Sequence, residues 1–228
     1  MSVNRCVVVD VDGTLVDSNY MHVTAWQAAF ASHGWCVPAW EIHRAVGMGA
    51  DKLVPALVGA GAAKEIGSAV AAEHDTRFRG TIANVQPLPG ARDLLAALKR
   101  RGLAVVLGSS AAAAEVDHYV GLLDAADLVD HVTTSEDVDR TKPDPDLIRA
   151  AIEKAGVPAV VMIGDTVWDC RAAAALGVPT LALLCGGISE DELRSAGAYS
   201  VHRDPTDLVP QLDSVLDETL SSARPTGR

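Results

Sequence analysis

Short apolar runs recur along the chain, and the segments between most of them carry apolar residues at helical spacing. Such runs are typical of strands buried on both faces, whereas the wider period is typical of amphipathic helices. The predicted strands are residues 6–9, 103–107, 128–133, 160–163, 180–184 and 198–201. The predicted helices are residues 91–101, 113–120, 145–155, 168–176, 190–196 and 206–220. This alternation favours a Rossmann-like α/β fold, a parallel sheet covered by helices on both faces.

One segment departs from the alternation. Between about residues 17 and 86 no run has strand character, and the pattern predicts four helices, at 19–33, 38–46, 51–58 and 62–79. A helical block inserted after the first strand favours a separate cap domain at residues 17–86, on a core formed by residues 1–16 and 87–228. The proline-rich segment 86–90 would be the hinge by which the chain returns to the core.

Composition narrows the possible classes of protein. The chain has 228 residues, of which 49% are hydrophobic and 21% charged, so we expect a globular protein with one large domain or a core with an insertion. The formal net charge of −11 argues against nucleic-acid binding through a basic surface. An anionic substrate would depend on local cations or a metal.

Cysteine usage and the chain ends predict a cytoplasmic protein. The four cysteines are far apart and form no CxxC pair, which favours reduced and mostly buried thiols. The first strand begins near residue 6, which leaves no room for a signal peptide before it. No apolar stretch approaches the roughly 20 residues that a membrane span needs. The small polar residues at 221–228 predict a frayed tail.

Reactive side chains follow three predicted strands. In open parallel sheets, ligands bind beyond the carboxyl ends of the strands. Carboxylates that converge there suit Mg²⁺, and a hydroxyl with a lysine would hold phosphate oxygens. A carboxylate nucleophile, a metal and a cation together favour phosphoryl transfer through an aspartyl-phosphate. The residues are Asp10 and Asp12 after the first strand, Ser109 and Ser110 after the second, Asp165 and Asp169 after the fourth, and Lys142 in a loop stiffened by two prolines.

Each feature also has an ordinary structural interpretation when taken alone. Residues 10–13 could be only a turn, Ser109 could cap a helix, and Lys142 could be a solvated surface residue. A calcium loop is disfavoured because Gly13 and Met21 stand at the fourth and twelfth loop positions, where an EF-hand needs glycine at the sixth and glutamate at the twelfth. These separate interpretations leave the order and spacing of the whole set unexplained.

The set of four motifs resembles the haloacid dehalogenase-like (HAD) superfamily, subfamily I with a helical cap. The resemblance covers nearly the whole chain. It rests on Asp10-Val-Asp12-Gly-Thr-Leu-Val-Asp17-Ser18, Ser109, Lys142-Pro143 and Gly164-Asp165-Thr-Val-Trp-Asp169. It implies that Asp10 is the nucleophile and a Mg²⁺ ligand, and that Asp12 is the general acid and base and gives the metal a backbone carbonyl.

The resemblance implies roles for the other motif residues as well. Ser109, with Ser110 beside it, and Lys142 would bind the transferring phosphoryl group. Asp165 would be the other carboxylate ligand, and Asp169 would bind the metal directly or at one remove. Family members that cleave carbon–halogen bonds lack the acid at the position of Asp12, so its presence favours phosphoryl transfer over dehalogenation.

The start of the predicted cap is similar to β-phosphoglucomutase-like members of the family. His22 and Trp26 stand at the spacing found there, which implies that His22 contacts Asp12. The segment 46–51 resembles a substrate-specificity loop, in which glycines such as Gly47 would let the backbone approach a ligand. All of these also fit packing or surface roles. The cap arginines that could hold a second anionic group of the substrate are Arg44, Arg77 and Arg79.

Two departures favour a phosphatase over a mutase. Gly164 stands where mutases of this type more often have an acidic residue, and the cap's substrate positions are short of polar residues. We therefore predict a Mg²⁺-dependent phosphatase of small monoesters, such as phosphoglycolate or sugar phosphates. Its partner would be a small phosphorylated metabolite, not nucleic acid or membrane, and it would be a monomer or homodimer. A β-phosphoglucomutase-like phosphomutase is the alternative within the family.

Two other classes remain open. A phospho-accepting receiver module uses similar strand-end residues, although it is usually much shorter and has no inserted cap. A catalytically weak paralogue with a partner-binding role would share every motif. Sustained Mg²⁺-dependent phosphate release from p-nitrophenyl phosphate would separate an enzyme from both.

Overall fold

Six strands form one parallel sheet in a computed structural model, which describes residues 5–222. The sheet order is β3-β2-β1-β4-β5-β6. The strands are β1 (Cys6–Val9), β2 (Ala104–Gly108), β3 (His131–Thr133), β4 (Ala159–Gly164), β5 (Thr180–Leu183) and β6 (Ala198–His202). All six predicted strands are present, and the third is shorter than the pattern indicated.

Ten α-helices lie within the described residues. They are α1 (Asn19–Ser32), α2 (Ala39–Ala45), α3 (Ala50–Arg79), α4 (Ala91–Arg100), α5 (Ala113–Leu122), α6 (Asp146–Ala155), α7 (Val167–Ala174), α8 (Glu190–Ser195), α9 (Pro205–Leu208) and α10 (Leu212–Ser222). Short 3₁₀ turns join several of them.

Both faces of the sheet are buried, and β1 lies at its centre. Val7 and Val9 pack into a large apolar cluster on one face, and Cys6 and Val8 pack into a second cluster on the other. Alternate residues of a strand point to opposite faces, so an all-apolar run is what a central strand requires. The predicted α/β fold with an inserted helical cap is confirmed.

The sheet order reverses at β1. The chain runs from β1 outward through β2 to β3 on one side, and then from β4 through β6 on the other. Such a switch point opens a crevice at the carboxyl ends of the two central strands, which is where ligands bind in open α/β sheets. In this protein those strands are β1 and β4.

The helices α1, α2 and α3 pack on one another around an apolar cluster of their own. Its members include Trp26, Phe30, Ile42, Leu53 and Val70. The two chain segments that join these helices to the sheet run side by side: the Asp17 amide donates to the Gln86 carbonyl at 2.9 Å, and the Leu88 amide donates to the Leu15 carbonyl at 2.9 Å. The helical block is therefore attached through a single two-stranded stalk.

The backbone of α3 leaves the helical conformation at Gly59 (φ 81°, ψ 155°). This break separates the two helices that the pattern predicted at 51–58 and 62–79. By length and composition α3 is long and apolar enough to cross a membrane, the one such helix among the described residues. Our expectation that no apolar stretch approaches that length was therefore wrong by this criterion. Gly59 nevertheless divides α3 into two shorter helical pieces.

The predicted helix at 206–220 is two helices. The 3₁₀ turn Val209–Gln211 lies between α9 and α10. Pro210 has no amide hydrogen to donate to an α-helical bond, which explains the interruption. The predicted frayed tail at 221–228 falls mostly outside the described residues. The four cysteines are unpaired, and Cys36 is exposed rather than buried.

Candidate active site

Asp10 and Asp12 follow the last residue of β1 and make different contacts. The Asp10 amide donates to the Ile163 carbonyl of β4 at 2.8 Å, which keeps the residue at the sheet edge. Its carboxylate accepts a hydrogen bond from Lys142. Asp12 lies past the strand, where Gly13 turns the chain with φ 74°. Its carboxylate accepts from the Ser18 hydroxyl at 2.5 Å and faces the helical cap.

Lys142 joins two carboxylates from different parts of the chain. It is 1% exposed, and its ammonium contacts Asp10 and, at 2.7 Å, Asp169 Oδ1. Burial by itself would lower the pKa of Lys142, but Asp10 and Asp169 raise it above its ordinary value. The lysine is therefore a permanent cation at the junction of β1 and β4.

Asp165 directly follows β4 and is fully buried. The Thr14 hydroxyl donates to Asp165 Oδ1 at 2.8 Å, and the Asn19 amide donates to Oδ2 at 2.9 Å. Burial, and next the charge of Asp169, raise the pKa of Asp165 to about 7. Burial also raises the pKa of Asp10 well above its ordinary value, although Lys142 opposes this.

Three buried carboxylates therefore form one cluster. Oxygen atoms of Asp10, Asp165 and Asp169 all lie within 4.8 Å of one another. Burial and, after it, the charge of Asp169 raise the pKa of Asp165, and a bound cation would relieve both effects. An all-oxygen carboxylate set is the chemistry of a Mg²⁺ site, so the residues present fit a divalent cation.

Asp169 is oriented by its own helix. It is the third residue of α7, and its Oδ2 accepts from the Thr166 amide at 3.0 Å and the Thr166 hydroxyl at 2.6 Å. This is a capping box, in which the N-cap threonine and an acidic residue three positions later satisfy each other's backbone amides. The same contacts that begin α7 fix the direction of the Asp169 carboxylate.

A chain of polar contacts leads from Asp12 into the cap. His22 Nε2 lies 3.2 Å from Asp12 Oδ1, and its Nδ1 lies 3.1 Å from His74 Nε2. His74 Nδ1 in turn lies 3.0 Å from Asp75 Oδ1. The two imidazoles stack on Phe78 and Trp26, with ring centroids 3.7 and 3.9 Å apart. The predicted contact between His22 and Asp12 is thus present in the structure.

The charges and the burial along this series of contacts favour a protonated His22 and a neutral His74. Burial alone would lower the pKa of His22, but Asp12 and Glu115, whose oxygens lie 3.2 and 3.5 Å from its Nε2, raise it to about 10. Burial lowers the pKa of His74. The pKa of Asp12 is lowered: burial by itself would raise it, and the contact with His22 outweighs that effect. At neutral pH, His22 is therefore the cation and Asp12 the anion of a buried pair.

The predicted phosphate-binding serines make different contacts. Ser109 is fully buried after β2, and its hydroxyl oxygen accepts from the Ala111 amide at 3.0 Å. Within residues 5–222 no hydrogen bond joins Ser109 to Asp10 or Lys142. Ser110 lines the cavity described below and donates to the Gly47 carbonyl of the cap at 3.1 Å. Gly47 has φ 96° and lines the same cavity.

The structure does not place Arg77 in the site. Its guanidinium contacts Glu73 at 2.7 Å and Ser32 at 3.0 Å, on the outside of the cap. Residues two apart on a helix point in different directions, so Arg79 lines the cavity where Arg77 does not. Arg44 pairs with Glu192 of the core, also outside the cavity.

A cavity of about 800 Å³ lies between the cap and the carboxyl ends of the strands. Asp10, Asp12 and Ser110 line it from the sheet side, and His22, Gly47 and Arg79 line it from the cap side.

Contacts across the two sides hold the cap against the core. The Thr141 hydroxyl accepts from the Gly49 amide at 2.9 Å and donates to Asp51, and Lys52 pairs with Asp144 at 2.5 Å.

The sequence analysis did not identify several residues of the site. Thr14 stands inside the first motif and Asn19 at the start of α1, but nothing in a single sequence indicates that both hold a carboxylate 146 or more positions away. The Thr-x-x-Asp spacing of Thr166 and Asp169 was a readable helix-start signal. His74 and Glu115 lie on helices whose pattern carries no comparable signal.

The fold and this geometry define an α/β enzyme with a carboxylate-rich site at the switch point of its sheet and a helical cap over it. A family model described as haloacid dehalogenase-like hydrolase matches residues 4–177, and one described as HAD-hydrolase-like matches residues 140–215. The chain belongs to the haloacid dehalogenase-like hydrolase family.

Relatives and solved structures agree with this assignment. The chain is 30% identical to phosphoglycolate phosphatase of Rhodospirillum rubrum, over 88% of this chain and 87% of the relative. It is 29% identical to N-acetylmuramic acid 6-phosphate phosphatase of Pseudomonas aeruginosa, over 93% and 96%. A hydrolase from Pseudomonas syringae has a TM-score of 0.86 and 32% identity, over 92% and 99%. The predicted family and enzyme class, an HAD-like phosphoric monoester hydrolase, are confirmed.

A further solved structure resembles the chain in fold alone. β-Phosphoglucomutase from Clostridium difficile has a TM-score of 0.82 at 17% identity, covering 96% of this chain and 100% of that one.

Proposed function

We propose that this protein is a Mg²⁺-dependent phosphatase of small phosphate monoesters that works through a phosphorylated Asp10. The observation that carries the proposal is the position of Asp10. It lies at the switch point with Lys142 against it and opens into the same cavity as Asp12. The names of two relatives, phosphoglycolate phosphatase and N-acetylmuramic acid 6-phosphate phosphatase, support small phosphate monoesters as substrates.

In the first step, an Asp10 oxygen attacks the phosphorus atom and the bond from phosphorus to the ester oxygen breaks. Asp12 gives its proton to the departing alcohol oxygen. The charge of His22 favours the ionised form of Asp12, so His22 must move or its contact must weaken for Asp12 to carry that proton. We infer that substrate binding in the cavity displaces this contact.

In the second step, Asp12 takes a proton from a water molecule, whose oxygen attacks the phosphorus of the aspartyl-phosphate. The bond to Asp10 breaks, phosphate leaves, and Asp12 is protonated again for the next substrate. Lys142 neutralises the charge that spreads over the phosphoryl oxygens. We assign Ser109 and Ser110 to the remaining oxygens.

Asp10, Asp165 and Asp169, with the Asp12 carbonyl, would hold Mg²⁺. When bound, the ion supplies charge neutralisation for the phosphoryl group and lets the anionic substrate approach the anionic nucleophile.

We also propose that residues 17–86 act as a cap domain over a core of residues 1–16 and 87–228, because contacts such as that between Thr141 and Gly49 hold the two together.

Phosphate release from a panel of monoesters tests the proposal. Purified protein should hydrolyse p-nitrophenyl phosphate repeatedly with Mg²⁺, stop in chelator, and recover when Mg²⁺ returns. Asp10→Asn should be inactive with an unchanged circular dichroism spectrum. Full activity in purified Asp10→Asn would refute the mechanism.

The same panel tests the other classes. Conversion of β-glucose 1-phosphate to the 6-phosphate, without net phosphate release, would indicate the phosphomutase. One labelling event without turnover would indicate a receiver. The cytoplasmic location and the monomer or homodimer state remain predictions, to be checked by fractionation and by light scattering.

A further inference from the structure

Seven acidic side chains line the cavity under the cap, among apolar and neutral polar residues. Among the described residues that line it, Arg79 is the one arginine or lysine. The Arg79 guanidinium itself donates to the Asp75 carbonyl at 3.2 Å. The acidic lining residues beyond Asp10 are Asp12, Asp51, Asp75, Glu115, Glu136 and Asp139. A cavity with this balance of charge disfavours a second anionic group on the substrate.

Glu115 is an acidic residue within 4.8 Å of Asp12 that the proposed reaction does not use. It lies in the first turn of α5, and its side chain is 13% exposed. Its Oε1 is buried without a hydrogen-bond partner among the described residues, and lies 3.5 Å from His22 Nε2. A buried carboxylate oxygen left without a donor points to a group that arrives with the ligand.

Glu115 lies where the alcohol half of the substrate would bind. Atoms of Asp12, His22 and Glu115 lie within 4.8 Å of one another. This inference rests on the proposed function, in which Asp12 protonates the ester oxygen of the departing alcohol, so that oxygen must lie next to Asp12. The first atoms beyond that oxygen therefore lie beside Glu115. His22 Nε2 lies 3.2 Å from Asp12 Oδ1 and 3.5 Å from Glu115 Oε1, so two carboxylates share one imidazole at this point.

We propose that Glu115 makes this enzyme select monoesters whose alcohol half is neutral or cationic. A hydroxyl or ammonium group of the alcohol would donate to Glu115 Oε1. A carboxylate two bonds from the ester oxygen, as in phosphoglycolate, would meet the Glu115 carboxylate at close range. The favoured substrate class is then the phosphate ester of a polyol, sugar or amino alcohol.

Three two-carbon monoesters that differ only in the charge of their far end test this. They are phosphoglycolate, 2-hydroxyethyl phosphate and phosphoethanolamine. In the wild type, kcat/KM for phosphoglycolate should be lower than for each of the other two by at least about tenfold, the scale of one close like-charge contact. Glu115→Gln should bring phosphoglycolate and 2-hydroxyethyl phosphate to within about threefold of each other by removing that contact.

Glu115→Asp and Glu73→Gln are the matched controls. The first keeps the charge and should keep the discrimination. The second removes a charge on the outer face of the cap, where Glu73 pairs with Arg77, and should leave all three ratios unchanged. If Glu115→Gln fails to fold, Glu115→Ala takes its place, and the wild-type series alone still overturns the proposal when phosphoglycolate is hydrolysed as well as the other two esters.

The outcomes separate this inference from the proposed function. A wild type that hydrolyses phosphoglycolate as well as 2-hydroxyethyl phosphate overturns the role of Glu115 and leaves the phosphatase intact. Equal discrimination in Glu115→Gln and the wild type also overturns it. Absence of turnover with all three esters and with p-nitrophenyl phosphate overturns the proposed function itself.

Discussion

Asp10 and Asp12 are two residues apart, yet their surroundings differ. Lys142 lies against Asp10, whereas Ser18 and His22 contact Asp12. Two like charges so close together are tolerated because each has its own positive partner. The sequence showed the pair and its glycine, but it could not show which partner belonged to which carboxylate. Those partners lie as far as 132 positions away.

The role proposed for Asp12 predicts a dependence on the leaving group. Asp12→Asn cannot supply a proton, so kcat/KM for an alkyl monoester should fall by about 10²–10⁴. The fall should be smaller for p-nitrophenyl phosphate, because its phenolate leaves without protonation. Steady-state kinetics with both esters measures the difference. An equal loss for the two would show that Asp12 acts in some other way.

A glycine beside Asp165 provides a second prediction at this scale. A Cβ atom at Gly186 would lie 1.8 Å from Asp165 Oδ2, so Gly186→Ala must displace that carboxylate. We expect Mg²⁺ affinity to fall by about 10–100-fold and unfolding free energy by about 1–3 kcal/mol. Calorimetric titration and urea unfolding measure these.

Gly121→Ala is the matched control, because nothing lies within 4 Å of a Cβ there. In the α5 helix it should be neutral or stabilising by up to about 1 kcal/mol, with unchanged Mg²⁺ affinity. Similar losses of affinity in the two variants would contradict the steric argument.

At the scale of helices and strands, the hydrophobic periodicity predicted which elements form, and it predicted less well where each of them begins and ends. Apolar runs identified the inner strands most clearly, because β1, β2 and β5 are buried along their whole length, whereas the edge strands β3 and β6 are partly exposed. The split of the C-terminal helix at Pro210 was also available from the sequence, since proline cannot donate a backbone hydrogen bond. The direction of the cap arginines depended on the exact phase of α3, which the alanine-rich pattern does not define.

Asp130, which directly precedes β3, links β2 to α4 and predicts a pH effect on stability. It accepts from the Val105 amide of β2 at 2.8 Å and from Lys99 of α4 at 2.6 Å. Burial by itself would raise the pKa of Asp130, but these hydrogen bonds lower it. A carboxyl whose folded-state pKa is depressed stabilises the fold above its unfolded pKa, and that contribution is lost as pH falls through the folded-state pKa.

Asp130→Asn should therefore lower the free energy of unfolding by about 1 kcal/mol at pH 7, a value reduced by the partial exposure of the pair. The difference from wild type should shrink as pH falls below the ordinary aspartate pKa of 3.8. Urea unfolding across this range measures it. Asp127→Asn is the control, because Asp127 is largely exposed and its contact with Arg92, at 3.9 Å, is long. A pH-independent loss in Asp130→Asn would contradict the linkage.

At the scale of the whole molecule, the site exists only because distant segments meet. The first motif supplies Asp10 and Thr14, the fourth supplies Asp165 and Asp169, and the cap supplies Asn19 to hold Asp165. Strand-end position predicted the convergence of the carboxylates, since parallel strands end at one edge. The acidic lining of the cavity was beyond prediction, because it depends on which helix faces of cap and core point inward.

This convergence makes the stability of the molecule depend on a cation. Without Mg²⁺, burial and the charge of Asp169 disfavour the ionised form of Asp165, so the folded state carries the repulsion of the cluster. A cation that binds only the folded state relieves it, and at 100 times its Kd contributes about 2.7 kcal/mol.

The melting temperature should therefore rise by roughly 5–10 °C between chelator and saturating Mg²⁺ for a chain of this length. Asp165→Asn should lose most of this rise. Glu192→Gln alters a carboxylate on the outer face of the molecule, paired there with Arg44, and should keep the rise in full. Differential scanning fluorimetry across a Mg²⁺ series measures all three proteins. An equal response of wild type and Asp165→Asn would mean that the cation which stabilises the protein binds elsewhere, and the carboxylate cluster would then no longer be its site.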